Sequence, residues 1–324
     1  MATETLVSAA STDAAGRNRA SWNVHAVINL RAGTAMDWTP ETMRETVEDA
    51  FTAEGHRIVV DLVQPEAVGH AIEKAAKSDI DVLVVGGGDG TIRTAARHLM
   101  GTGKALGILP LGTMNRLAKD LEIPLDIRAA AAYLASATPS RIDVAKVNDS
   151  IFLCNSLMGL TLRYSVARAR MRGKPAAERL PKYFATIREI LSSQDKISIT
   201  VDHGDERLRI RALSVAVTNN GYDEGMTWLR RPKLDGGKLT MYVSKHRSGW
   251  GLARALARAV LGRWHGDPEM AKLTGRQFVI HAPRRLKRLA NDGEISKFET
   301  PLRYEICPGA LVVLTQSAAA PGIA

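Results

Sequence analysis

The chain has 324 residues, 45% of them hydrophobic, and carries 44 Lys+Arg against 34 Asp+Glu for a net charge of +10. That length predicts two domains, and the composition excludes a chain disordered throughout. The two cysteines, Cys154 and Cys307, form no C-x-x-C and argue against a disulfide framework or a structural zinc site, so a reducing cytosol is the default. The positive charge favours an anionic partner (nucleotide phosphates, an acidic membrane surface or nucleic acid) or simply reflects a soluble basic chain. Residues 1–21 are polar, lack the apolar core of a signal peptide and read as a disordered leader. No apolar run approaches the roughly 20 residues that span a bilayer.

From residue 22 the pattern is α/β. Val24–Asn29 and Ile58–Val63 read as strands around a helical Pro40–Glu54, and Asp81–Val85 is a third strand running into Gly86-Gly87-Gly88-Asp89-Gly90-Thr91. Beyond it Ile92, Ala95, Ala96 and Leu99 fall at helical spacing, and Ala105–Leu109 is a fourth strand. This alternation predicts a parallel sheet covered by helices over residues 22–138. From 139 to 316 the segments turn short and strand-like: Arg141–Val147, Ile151–Asn155, Ile197–Val201 paired in a hairpin with Arg207–Val217, Lys238–Val243, Gln277–His281, Arg284–Leu289, Leu302–Cys307 and Ala310–Leu314. Helical stretches near Glu178–Leu191 and Gly251–Leu261 interrupt them. The second domain is therefore expected to be a β-rich, sandwich-like body, with 317–324 as a tail.

Three clusters carry chemistry. The strand–glycine loop–helix at Val82–Leu99 presents free N–H groups at a helix N-terminus, which suits a phosphate, and glycine lets the backbone approach it closely. It is neither a Walker loop nor a G-x-G-x-x-G. Asp89 beside bound phosphates would be repulsive without a bridging Mg²⁺, an ion that takes carboxylate, phosphate and water ligands. The second cluster, Pro110-Leu111-Gly112-Thr113-Met114-Asn115, again follows a strand and opens a helix; alone, Thr113 could be a helix cap. Two such turns at the carboxyl ends of successive strands mark a ligand edge. The third cluster is Asp292-Gly293-Glu294, which alone is a turn with a surface carboxylate.

In this order, Gly-Gly-Asp-Gly-Thr at 87–91, Pro-x-Gly-Thr-x-Asn at 110–115 and Asp-Gly-Glu at 292–294 resemble the diacylglycerol kinase catalytic-domain family, bacterial lipid kinases related to sphingosine and ceramide kinases. The likeness runs from Val24 to Leu314. Asn29-Leu30-Arg31-Ala32-Gly33 is similar to the family's opening phosphate loop, with Leu30 in place of Pro. The resemblance implies a phosphofructokinase/NAD kinase-like N-terminal α/β domain, a β-rich C-terminal domain, ATP and Mg²⁺ as co-substrate and metal, and a diacylglycerol- or sphingoid/ceramide-type lipid as acceptor. It assigns nucleotide contacts to Asn29, Gly33, Gly87, Gly88, Asp89, Gly90, Thr91, Gly112, Thr113 and Asn115. It casts Glu294 as the base, with Asp292 and Asp89 catalytic beside it.

Two segments depart from the family pattern. Asp223-Glu224-Gly225-Met226 stands for a Gly-Gly-Gly-Met-like run, and Asp235-Gly236-Gly237 stands for Asp-Asp-Gly, whose second Asp helps hold a structural Mg²⁺ in the bacterial members. Gly236 cannot supply that carboxylate, so the structural metal is expected to be absent or weakened unless Asp235 substitutes. The cationic stretch Arg163, Arg168, Arg170, Arg172, Lys174, Arg179 and Lys182, extended by Arg254, Arg258 and Arg263, reads as a solvated face or as a docking surface for an anionic membrane. The chain is thus expected in the cytoplasm, peripherally membrane-associated. No nucleic-acid recognition motif is present, and homo-oligomerisation stays open. Two other readings stand beside the lipid kinase: a small-molecule kinase on the same N-domain, NAD kinase-like, and a lipid-binding regulatory protein that has lost catalysis.

Overall fold

The computed structural model describes residues 21–171, 191–223, 230–260, 267–283 and 285–316, together with 181, 184, 185, 188 and 189. The expected leader before Ser21, the tail from 317, most of the basic stretch after Met171, Glu224–Met226 and Arg263 lie outside the described residues. The chain divides into two compact units: residues up to Ser140 joined by the stretch from Leu311, and Arg141–Ala310.

The first unit is built on strands β1 (Asn23–Asn29), β2 (Arg57–Val63), β3 (Val82–Gly87) and β4 (Ala105–Pro110). They pair in parallel in the order β2-β1-β3-β4, and Val312 and Val313 add in parallel beyond β4. Every residue of β3 and β4 is buried, the signature of a parallel sheet covered on both faces. The covering helices are α1 (Pro40–Ala53), α2 (Val68–Lys77), α3 (Asp89–Leu99), α4 (Arg116–Asp120) and α5 (Ile127–Ala135). The Thr39 hydroxyl accepts from the Thr42 N–H at 3.2 Å and Pro40 opens the first turn of α1, a strong start signal. In α3, Ile92, Ala95, Ala96 and Leu99 form the buried stripe that their spacing predicts. The chain leaves β1 toward one edge of the sheet and β3 toward the other. The topological switch point therefore lies between β1 and β3, where open α/β sheets bind ligands at the strand carboxyl ends.

The second unit is antiparallel. Strands β5 (Thr138–Val147), β6 (Ser150–Phe152), β7 (Asn155–Gly159), β8 (Ile197–His203), β9 (Glu206–Ala212) and β10 (Ser214–Asn219) are followed by β11 (Leu239–Ser244), β12 (Met270–Gly275), β13 (Gln277–His281), β14 (Leu286–Asn291), β15 (Glu294–Glu299) and β16 (Leu302–Thr315). One sheet runs β12-β11-β10-β7-β14-β15; another contains β16-β13-β8-β9 with the β5–β6 hairpin attached at β16. Phe152, Met158, Val201, Val217, Met241, Phe278, Leu289 and Tyr304, drawn from both sheets, share one core, as in a sandwich. The unit also carries helices α6 (Leu160–Met171) and α7 (Gly249–Val260).

Three strand expectations are corrected. Arg207–Val217 is not one arm of a hairpin: β8 and β9 pair around the Gly204 turn, but the chain then changes sheets at Leu213 and continues as β10. Leu302–Cys307 and Ala310–Leu314 are one strand. Ile151–Asn155 breaks at Leu153-Cys154 into β6 and β7, for a reason that lies in Asp292.

Candidate active site

Three turns, at the carboxyl ends of β1, β3 and β4, pack backbone against backbone in the first unit. In the first, the Asn29 carboxamide accepts from the Arg31 N–H at 3.0 Å and its carbonyl from Ala32 at 3.1 Å, so the side chain closes the loop that has Leu rather than Pro at 30. A Cβ on Gly33 would stand 2.6 Å from the Leu111 carbonyl oxygen, and one on Gly112 would stand 2.5 Å from the Gly88 Cα. Only glycine permits these approaches. Gly87 is filled from the other direction, because a Cβ there would meet the Thr91 side chain at 2.7 Å. Gly88, at φ −90° and ψ 178°, caps α3, whose first-turn N–H groups lack helical partners.

Asn115 holds the second loop from within. It adopts a left-handed conformation, φ 48°, which Asn tolerates. Its Oδ1 accepts from the Gly112 N–H at 2.9 Å, while Nδ2 donates to the carbonyls of Pro110 at 2.9 Å and Gly112 at 2.7 Å. Asp89 ties the two helix starts together, since its Oδ1 accepts from the Arg116 N–H at 2.7 Å. The expected nucleotide residues Gly33, Gly87, Gly88, Asp89, Gly112 and Asn115 thus meet in one cluster. Gly90 and Thr91 lie in the first turn of α3, and Thr113 is exposed on its loop.

The glycines separate into two kinds. A Cβ on Gly88 would meet nothing closer than 3.5 Å, so Gly88→Ala should fold with unchanged thermal stability. If the α3 start holds a phosphate, the alanine methyl would obstruct that approach. Loss of one charge-assisted hydrogen bond there predicts roughly 10- to 100-fold weaker ATP binding by calorimetry. Gly112→Ala should instead destabilise the unit by about 1–3 kcal/mol through overpacking. Undiminished ATP affinity in Gly88→Ala would remove the phosphate assignment from this loop.

In the second unit, Asp292-Gly293 is a two-residue hairpin turn between β14 and β15, with φ 50° and 86°, the combination Asp-Gly favours. The Asp292 carboxylate is an acceptor for backbone: Oδ2 takes the Leu153 N–H at 2.7 Å, and Oδ1 takes those of Cys154 at 2.7 Å and Asn155 at 3.0 Å. The Asp292 N–H returns to the Asn155 carbonyl at 2.8 Å. These bonds divert Leu153 and Cys154 from the sheet ladder and explain the break between β6 and β7. These contacts give Asp292 a part in fixing the backbone around the turn. Glu294, exposed at the start of β15 and opposite Asn291, is carried on the turn so fixed.

Asp235 is exposed. Among the described residues no group of three His, Cys, Asp or Glu side chains could hold a metal ion. Sequence reasoning passed over Arg231, Asp143 and Asn155, which are buried around the same junction; no motif marks them. Burial also pushes the Tyr304 phenol well above its usual range, and its hydroxyl lies 3.0 Å from Ser156 Oγ beside β14. A cavity of about 860 Å³ opens between the strands of this unit. Met158, Ile199, Ile280 and Leu302 line it together with Asp195, Lys196 and Arg288.

A parallel α/β unit with a glycine cradle at its switch point, and an antiparallel sandwich bearing a carboxylate turn, define a two-domain architecture of the NAD kinase-like type. A model of the diacylglycerol kinase catalytic domain matches residues 23–147, and one of the YegS C-terminal NAD kinase beta sandwich-like domain matches residues 164–315. Among similar proteins, a probable lipid kinase YegS-like from Klebsiella pneumoniae is 39% identical over 27% of this chain and 30% of that protein. A diacylglycerol kinase from Staphylococcus saprophyticus is 27% identical over 55% of this chain and 60% of that protein. The crystal structure of a diacylglycerol kinase from Bacillus anthracis superimposes with a TM-score of 0.71 over 93% of this chain and 100% of that one, at 19% identity, a likeness of fold. The chain thus carries a segment of the diacylglycerol kinase catalytic-domain type followed by one of the YegS C-terminal type.

Proposed function

We propose that the protein is a lipid kinase that transfers the γ-phosphoryl group of ATP to a lipid hydroxyl. The observation that carries this reading is the cradle of three glycine turns at the switch point, locked by Asn115 and Asp89. Free N–H groups of the α3 start would hold nucleotide phosphates. One Asp89 oxygen is taken by the Arg116 N–H, and a single carboxylate suits Mg²⁺, which keeps phosphate and water ligands. When bound, the ion supplies charge neutralisation at the phosphates. Glu294 would accept the acceptor hydroxyl's proton as its oxygen bonds to the γ-phosphorus and the bond to the β-phosphate bridging oxygen breaks, releasing ADP.

The cavity's mixed apolar and cationic lining is compatible with a lipid acceptor that has an apolar body and a polar head. The test is labelled Mg-ATP offered with diacylglycerol, ceramide, sphingosine, a prenol and NAD. Label in a lipid is the expected result; label in NAD alone, or in nothing, overturns the reading.

The same proposal places the protein on an anionic membrane surface. No helix among the described residues is long and apolar enough to cross a membrane. Arg163, counted in the basic stretch, is engaged with Asp195 at 3.0 Å and Ser193 Oγ at 3.1 Å. The better candidate is α7: Trp250 is 59% exposed, Arg254 and Arg258 follow at helical spacing and are exposed, and Leu252 and Ala255 are buried beneath. An aromatic with arginines on one face suits the headgroup layer. Trp250→Ala with Arg254→Glu and Arg258→Glu should lower sedimentation with anionic vesicles roughly tenfold or more, at about 1 kcal/mol per charge. Wild-type binding should fall as salt rises. Equal sedimentation of variant and wild type would clear α7 of this role.

A further inference from the structure

The family's structural metal does not fit this chain, and the misfit has a cause. Gly236 offers no carboxylate, and a Cβ there would stand 2.7 Å from Asn220 Oδ1, so a side chain would displace the Asn220 carboxamide. The Asp-Gly-Gly segment is held without an ion: the Gly237 N–H donates to Asp143 Oδ2 at 2.7 Å, and Asn220 Nδ2 donates to the same oxygen at 3.0 Å. The other Asp143 oxygen accepts from the Gly309 N–H at 2.9 Å. Asp143, 1% exposed, is thus an acceptor for backbone and amide donors.

A cation is nevertheless present at this junction, and it is a side chain. Arg231 is 1% exposed. Its Nη1 donates to the carbonyls of Leu153 at 2.7 Å and Asn219 at 2.9 Å, and its Nη2 to Cys154 Sγ at 3.2 Å. Burying a guanidinium is costly unless its donors are met, and here they gather Leu153, Cys154 and Asn219 around one side chain. Asn219 Nδ2 reinforces the gathering by donating to the carbonyls of Leu153 at 3.0 Å and Asp143 at 2.8 Å.

The Leu153–Cys154 peptide unit sits between opposite charges. Its oxygen faces the Arg231 guanidinium, and its N–H faces the Asp292 carboxylate. A peptide dipole so aligned is held in orientation from both ends. The Asp292 end of that clamp also sets the turn that carries Glu294.

We propose that Arg231 replaces the structural divalent ion with a built-in cation and, through the Leu153–Cys154 peptide and Asp292, positions the Glu294 turn. The positioning part rests on the lipid kinase reading; the metal part does not. Elemental analysis of the purified, nucleotide-free wild type should find no stoichiometric divalent ion, and EDTA should leave its melting temperature unchanged. Arg231→Lys keeps the charge but not the planar fork. It should melt lower, with or without Mg²⁺, and lose roughly 100-fold in kcat, the scale of a misplaced catalytic group, while KM for ATP stays the same. One equivalent of tightly bound ion, or a melting temperature that falls with EDTA, overturns the replacement. Wild-type kcat in Arg231→Lys overturns the positioning. If no lipid is phosphorylated by the wild type, the lipid kinase reading has failed, and the elemental and melting measurements still decide the metal part.

Discussion

Glu294→Gln should lower kcat on the preferred lipid by roughly 10²–10⁴-fold, the usual contribution of a positioned general base, with ATP affinity and melting temperature unchanged. The expectation of unchanged stability comes from position. Glu294 is exposed at the first residue of β15, and exposed substitutions away from structural devices usually stay within about 0.5 kcal/mol. Glutamine keeps the shape and hydrogen-bonding reach of the side chain but cannot take the hydroxyl proton. A lipid hydroxyl is a poor nucleophile at neutral pH, so the loss should appear in kcat with KM for ATP held, the pattern of an interaction made only in the transition state. Single-turnover kinetics on saturating Mg-ATP separates this from slow product release. If Glu294→Gln turns over like wild type, the carboxylate turn has no part in chemistry, and the phosphate cradle alone would suit a small-molecule kinase equally well.

The first unit was the more legible in sequence, for a physical reason. A parallel sheet buried on both faces writes continuous apolar runs, as in Val82–Val85 and Ala105–Leu109, and its glycine turns are obligatory because backbones meet at 2.5–2.6 Å from a would-be Cβ. Helix α2 was not among the expected elements, although Val68, Ile72, Ala75 and Ala76 form its buried face; its short length, with Gly69 and no side-chain cap, weakens the signal. The second unit is set by long-range choices that local pattern does not encode. Arg207–Val217 reads as one run, yet the chain changes sheets at Leu213, whose N–H bonds the Ser244 carbonyl. Helical Gly251–Leu261 was visible because Leu252 and Ala255 recur at helical spacing over polar neighbours.

The candidate site divides the same way. Local motifs named the cradle residues and the Asp-Gly-Glu turn. They could not separate Asp292 from Glu294, because that distinction depends on a segment about 140 residues earlier in the chain, Leu153–Asn155. Arg231 was silent for a related reason: the Arg230-Arg231-Pro232 run has no pattern, and the role of Arg231 exists only once Leu153, Asn219 and Cys154 are brought around it.

Asp292→Asn should therefore behave unlike Glu294→Gln, losing stability and turnover together. Asparagine tolerates the left-handed φ of 50° as aspartate does, so the change isolates the carboxylate. One amide oxygen can still accept from Cys154 and Asn155, but the amide NH₂ must then face the Leu153 N–H, which aspartate Oδ2 accepts at 2.7 Å. A charged acceptor is lost and two donors are opposed. With hydrogen bonds to charged groups contributing about 1.5–3 kcal/mol each, the cost should be roughly 2–4 kcal/mol, or about 5–10 °C in melting temperature for a unit of this size. The freed Leu153–Asn155 segment should also gain amide hydrogen exchange, because its N–H groups lose their acceptor. On the lipid kinase proposal, turnover should fall because the turn bearing Glu294 is no longer fixed, while ATP affinity, assigned to the first unit, should hold. Melting temperature and exchange at 153–155 equal to wild type, with turnover still lost, would return Asp292 to a direct part in the chemistry.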